Sequence, residues 1–179
     1  MREGNFRSGI PLLLLLSALA TGPLCLAQGR FEVLGGKALN SAVPRDFYLE
    51  GNAVPVEKHD AALIRTPSGA RVLTALVATT GWASQDPHKY MGLLISEGSL
   101  SVCGNRLDAG SYGFGLQRSN ANRNSDAEFA LYNQAGKKIV GCHVPKDLHL
   151  KGPRPLQVVV DSATSARLYL GRYRVELRP

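Results

Sequence analysis

The sequence lacks the short motifs that identify common kinds of catalytic site. It contains no G-x-S-x-G, S-x-x-K, H-E-x-x-H or C-x-x-C pattern, which disfavours the usual serine hydrolases, zinc proteases and dithiol oxidoreductases. Gly110, Gly113 and Gly115 do not have the order of a dinucleotide-binding loop, and no helical pattern follows them. They are better explained structurally: Gly110 allows a turn, and the other two share a strand face that a ring or another backbone approaches closely.

Cysteine is scarce too, with three residues in a chain of 179. Two of them, Cys103 and Cys142, lie outside the amino-terminal segment, and an even pair in an exported protein predicts a disulfide. Strand alternation places Cys142 on an apolar face and Cys103 on a more polar one. The pair can meet only if the two faces point the same way or if Gly104 breaks the register. Two free thiols are the alternative.

The amino-terminal segment has the pattern of a secretory signal peptide. A short basic region with Arg2 and Arg7 precedes an apolar run from Ile10 to Ala20. Cys25 and Ala27 then supply small residues at the −3 and −1 positions of a cleavage site. The apolar run is shorter than the roughly 20 residues of a membrane-spanning helix. An uncleaved amino-terminal anchor is the alternative.

We therefore predict that residues 1–27 are a signal peptide and that residues 28–179 form a single domain, periplasmic or extracellular. A domain of this size is typical of globular proteins. Without the leader the chain keeps 19 basic and 13 acidic residues, a net charge of +6. Export argues against nucleic acid as a partner, and the positive charge predicts an anionic envelope component or a glycan. The alternative is a charged surface that only maintains solubility.

Short apolar runs separated by turn residues at intervals of about 8 to 12 positions predict an all-β fold. Residues 66–69 predict the turn of a hairpin, and residues 72–78 predict a central strand covered on both faces. In the last strand Tyr173, Val175 and Leu177 alternate with charged residues. We predict an antiparallel β-sandwich of about ten strands, immunoglobulin-like or jelly-roll, with a closed β-barrel as the alternative.

The polar segment that ends at Tyr90 is the main candidate for a ligand-binding site. It contains Trp82, the only tryptophan, followed by Gln85, Asp86 and His88. Aromatic rings with amide and carboxylate neighbours can stack on a sugar ring and bind its hydroxyls. These five residues are therefore predicted to bind a ligand such as a glycan. The alternative is that Trp82 closes one end of the sandwich.

The predicted function is a non-enzymatic exported module that binds a glycan, a peptide or an envelope partner, without a cofactor. The loop of residues 118–124 is a second polar tip, either a contact for an anionic partner or only a solvated loop. No membrane span is predicted in residues 28–179, and the oligomeric state and strand order stay open.

Two other functions stay open beside binding. One is a hydrolase with an unusual site, built from Asp86 and His88 or from a zinc ion near His143. Asp147 and His149 follow His143 closely enough to share a zinc ion with a fourth, distant ligand. The other is an accessory structural subunit that only builds an interface.

Three runs of the chain resemble one group of small exported bacterial proteins of the acidobacterial type. These runs are Asp46–Asn52, Ser111–Leu116 and Leu168–Tyr173, and the resemblance covers most of residues 28–179. Because the group has no known activity, the resemblance implies a bacterial envelope setting and nothing about function. In addition, Leu107–Tyr112 is similar to the L-x-A-G-x-Y turn of many exported β-sandwich modules, which is structural wherever a strand restarts.

Overall fold

A computed structural model describes residues 29–78, 89–118 and 126–179. Within these ranges the chain forms 13 strands and one short helix, which confirms the all-β prediction and exceeds the predicted strand count. The elements are β1 (Glu32–Leu34), α1 (Lys37–Ala42), β2 (Asp46–Leu49), β3 (Asn52–Arg65), β4 (Arg71–Val77), β5 (Gly92–Ser96), β6 (Leu100–Val102), β7 (Asn105–Leu107), β8 (Gly110–Arg118), β9 (Ala127–Tyr132), β10 (Lys138–Val144), β11 (Leu156–Ser162), β12 (Ser165–Leu170) and β13 (Tyr173–Arg178).

The strands form two antiparallel sheets. The larger has eight strands in the order β1-β3-β4-β5-β8-β9-β10, with β2 also paired to β3, and the smaller has five in the order β11-β12-β13-β6-β7. Neither sheet closes on itself in the part of the chain that the structure describes, so the alternative of a closed barrel is wrong. No helix within the described ranges is long and apolar enough to cross a membrane.

The main core lies between the two sheets. Phe114 and Phe129 of the larger sheet pack in one cluster with Leu168 and Val175 of the smaller sheet, and each of the four is fully buried. The predicted alternation of β13 is confirmed, because Tyr173, Val175 and Leu177 are buried while the charged residues between them are exposed. The outward face of β13 therefore offers charged side chains to solvent.

A second core covers the opposite face of the larger sheet. There α1, β2 and the first half of β3 fold over residues such as Leu73 and Leu93. The neighbouring Val72 and Leu94 point instead into the main core. This confirms the prediction that β4 is covered on both faces.

The two sheets meet along one edge of β13. The second half of β13 pairs with β6. The chain that leaves β10 lies beside the first half of β13. The Arg174 backbone N–H donates to the Pro145 carbonyl at 3.1 Å, and the backbones of Lys146 and Tyr173 form an isolated antiparallel β-bridge. The outward side chains of β13 consequently lie next to the end of β10.

The Cys103–Cys142 disulfide joins the sheets at the same place, which confirms the predicted pair. Cys103 follows β6, Cys142 lies in β10, and their Cα atoms are 6.4 Å apart. Cys103 has a left-handed backbone with φ of 53°, and Gly104 follows with φ of 75°. The register therefore breaks at Cys103 itself, one residue before the predicted position, and this turn directs its sulfur towards β10.

Candidate functional site

The predicted ligand-binding segment is described only at its carboxyl end. Trp82, Gln85, Asp86 and His88 lie outside the described residues, so their role stays a prediction. Tyr90 is 2% exposed and packs in the second core, and its hydroxyl donates to Glu50 Oε1 at 2.7 Å. The Tyr90 ring therefore lies inside the protein, packed against the larger sheet.

Lys89, Glu50 and two tyrosines form one connected cluster around this anchor. Lys89 Nζ donates to the same Glu50 oxygen and lies 5.0 Å from the Tyr90 ring centre and 5.5 Å from that of Tyr132. The two rings meet edge to face at 5.3 Å. Glu50 is held in place because its backbone N–H donates to the Gln134 carbonyl at 2.8 Å. The cluster thus ties the β2–β3 turn to the end of β9.

Burial, with the hydrogen bond to Glu50, raises the pKa of Tyr90 to about 12. In the unfolded chain a tyrosine pKa is about 10. Because the folded protein holds this proton more tightly, the free energy of unfolding should fall as the pH rises from about 10 to about 12. An alkaline absorbance titration should show a late-ionising tyrosine that disappears in Tyr90→Phe. Tyr48, which is 61% exposed, supplies the control: Tyr48→Phe should keep the late phase, and a Tyr90→Phe curve that also keeps it would contradict the assignment.

A cleft of about 420 Å³ opens where β10, the disulfide and the outward face of the smaller sheet meet. We call it the cystine cleft. Its lining residues are Cys103, Cys142, His143, Val144, Pro145, Arg167, Arg174 and Glu176. The charged side chains of the lining point outward. Arg174 and Glu176 flank the buried Val175, so both lie on the solvent face of β13. Arg167 lies on the same face because it pairs directly with Glu176 across β12 and β13. The smaller sheet thus supplies the charged lining of the cleft.

Two of the charged side chains in the cystine cleft already have partners. Arg167 Nε lies 2.7 Å from an Asp161 carboxylate oxygen. Glu176 accepts a hydrogen bond of 2.7 Å from Arg178 Nη2. Arg174, by contrast, is exposed, and its side chain makes no hydrogen bond or ion pair with any residue in the described ranges. Its guanidinium is therefore available to an anionic group in the cleft.

The carboxylate of Asp147 interacts electrostatically with Arg174 but is hydrogen-bonded to other groups. The Tyr169 hydroxyl donates to Asp147 at 3.0 Å, and the His149 backbone N–H donates to it at 3.0 Å. The Tyr169 hydrogen bond is the main cause that lowers the pKa of Asp147, and the charge of Arg174 adds to it. The hydrogen bonds of Asp147 therefore hold the chain that follows β10 against the smaller sheet.

The described residues on either side of the predicted polar loop, Arg118 and Ala127, lie near the end of β10 and the start of β13. Val144 pairs with Ala127 and His143 with Glu128, and the Arg118 guanidinium carbon is 5.8 Å from the Tyr173 ring centre. Most of residues 118–124 lie outside the described residues, so the predicted contact of this loop with an anionic partner stays a prediction.

The zinc alternative finds no support in the described part of the chain. That part contains no group of three or more His, Cys, Asp and Glu side chains placed to hold a metal ion. The Asp147 carboxylate, one of the proposed ligands, is engaged by Tyr169 and by the His149 backbone.

Arg167 and Arg174 are the site residues that sequence reasoning missed. The alternation of charged and apolar residues in β13 identifies Arg174 as exposed. Only the strand register, however, places Arg174 beside the end of β10 and the disulfide. Searches of protein-family models, of curated proteins and of solved structures found no match. The function therefore has to be inferred from the geometry of this cleft.

Proposed function

We propose that the protein is an exported, non-enzymatic β-sandwich module, immunoglobulin-like or jelly-roll, that binds an anionic component of the bacterial cell envelope in the cystine cleft. The observation that carries the proposal is the exposed guanidinium of Arg174, unpaired within the described ranges, in a cleft that Arg167 and His143 also line. A disulfide is typical of exported proteins, which supports the predicted location.

The chemistry of the cleft suits an anionic group better than a neutral one. A guanidinium donates two parallel hydrogen bonds to a carboxylate, and such charge-assisted bonds are about twice as strong as neutral ones. The volume of about 420 Å³ is within the usual range for small-ligand sites. The net charge of +6 that remains without the leader should also speed the encounter with a polyanion.

The test is the affinity of Arg174→Ala for tetragalacturonate, a defined carboxylated probe, measured by isothermal titration calorimetry. A hydrogen bond to a charged group contributes about 1.5–3 kcal/mol, so we expect the affinity to fall at least tenfold. Arg45→Ala is the matched control. It removes the same charge from a side chain that is 93% exposed, located just before β2 on the other side of the larger sheet.

The control separates a specific site from general attraction. Equal losses in Arg174→Ala and Arg45→Ala would mean that only the net charge matters, and the proposal would be wrong. A wild-type protein that binds no carboxylated probe would also refute it. Thermal melts of both variants should match the wild type, since each side chain is exposed.

A further inference from the structure

We infer that the ligand is a linear acidic polysaccharide, and that it continues from the cystine cleft across the outward face of the smaller sheet. This inference rests on the proposed function and names its ligand. It starts from a set of arginines on that face, which we call the arginine band. Its members are Arg167 on β12, Arg174 and Arg178 on β13, and Arg106 on β7.

The strand register places the members of the arginine band on one face. Arg178 pairs with Ser101, and Ser101 pairs in turn with Arg106, so these three side chains point to the same side of the sheet. Arg174 and Arg178 are four residues apart on β13, and both alternate with buried residues. The band therefore extends from the cystine cleft to the edge strand β7, with Glu176 and Ser101 between its arginines.

Two arginines of the band are unpaired, and one lies in the cystine cleft while the other lies on the edge strand β7. Like Arg174, Arg106 makes no hydrogen bond or ion pair with any residue of ranges 29–78, 89–118 and 126–179. Two strand spacings across the sheet and four residues along β13 separate them by about 16 Å. One small anion cannot reach both ends, whereas a chain that carries several charges can.

The groups between the two ends favour a sugar chain over a polyphosphate. Glu176 lies on the path, and its carboxylate can accept from sugar hydroxyls as well as from Arg178, whereas it would repel phosphate oxygens. Ser101, between Arg178 and Arg106, can both donate to and accept from a hydroxyl. A polysaccharide with carboxylates at intervals and hydroxyls between them therefore matches both the charged and the neutral groups of this face.

The experiment is a chain-length series of galacturonic acid, digalacturonate, tetragalacturonate and hexagalacturonate, titrated into the oxidised protein. For the wild type we expect the affinity to rise at least tenfold from digalacturonate to hexagalacturonate. Arg106→Ala should abolish that increase and leave the affinity for digalacturonate unchanged, because the short ligand stays in the cleft. Arg174→Ala should weaken every member of the series, and Arg45→Ala should preserve the increase.

The outcomes distinguish this inference from the proposed function. If digalacturonate binds through Arg174 but longer chains bind no better, the proposed binding in the cystine cleft is supported and the extended path is wrong. If no member of the series binds, both are wrong. A linear polyphosphate of equal charge that binds more tightly than tetragalacturonate would overturn the polysaccharide assignment. We expect the opposite order, with Glu176→Gln shifting the preference towards polyphosphate.

Discussion

Reduction of the Cys103–Cys142 disulfide should lower the free energy of unfolding by about 4 kcal/mol. The two cysteines are 39 residues apart in the sequence. For a closed loop of this length, the chain-entropy relation gives about 4 kcal/mol at 25 °C, because reduction restores freedom to the unfolded chain. A typical hydrogen bond contributes only about 1 kcal/mol, so the loss of this covalent link has the largest expected effect.

The surroundings of the disulfide give a second reason for a large effect. β6 and β7 have three residues each, and β6 pairs with β13 through only Leu177 and Arg178. One further hydrogen bond, from Cys103 N–H to the Glu176 carbonyl at 3.1 Å, completes the hydrogen bonds between this hairpin and β13. In the reduced protein this small hairpin should separate from β10 more readily than the other strands separate from their neighbours.

Urea unfolding of the protein with and without a phosphine reductant measures the effect as a shift in the midpoint. The double variant Cys103→Ser/Cys142→Ser is the control, since its midpoint should match that of the reduced protein and should not respond to the reductant. Equal midpoints for the oxidised and reduced wild type, with the thiols shown by mass spectrometry to have formed, would contradict the prediction.

The parts of the fold that follow from local periodicity could be predicted from the sequence. In β13 charged and apolar residues alternate strictly, whereas β4 is apolar at both odd and even positions. The sequence of each strand alone therefore indicates which of its faces are buried. The sequence also predicts that a ring approaches Gly113 closely, and a Cβ atom there would lie 2.9 Å from a ring carbon of Tyr90. In each case a few neighbouring residues carry the whole signal.

Strands that depend on a partner could not be predicted in the same way. Residues 57–60, in the middle of β3, are all polar and charged, and the first half of this strand forms because β2 pairs with it. β7 has one buried residue, Leu107, and exists because β6 pairs with it. Strand propensity is decided largely by neighbours across the sheet, which a short window of sequence does not contain.

The candidate site could not be predicted because its residues meet only through long-range register. Cys103, His143 and Arg174 lie far apart in the chain and become neighbours only where the end of β10 reaches β13. Composition favours candidates such as the Trp82 segment, where aromatic and polar residues are adjacent in sequence. It gives no such signal for arginines that only strand pairing brings together in one band.

Gly92→Ala should destabilise the protein by about 3 kcal/mol, the second-largest effect expected among these variants. Gly92 is buried in β5, and a Cβ atom there would overlap the Phe114 ring and the Ala75 carbonyl oxygen. The Phe114 ring is fully buried and packs against Phe129 with 5.8 Å between ring centres, so it has little room to move. The Ala75 carbonyl belongs to the neighbouring strand β4 and cannot shift without disturbing the sheet.

Gly35→Ala is the matched control, because a Cβ atom at Gly35 would meet no heavy atom within 4 Å. The same substitution there should be neutral or stabilise by up to about 1 kcal/mol, since it restricts only the unfolded chain. Gly92→Ala/Phe114→Leu should recover part of the lost stability, because a leucine removes the overlap with the ring while the overlap with the carbonyl stays. The urea midpoint of unfolding reports the stability of each of the three variants. A Gly92→Ala midpoint equal to that of Gly35→Ala would show that β4 and β5 yield enough to accept a methyl group between them.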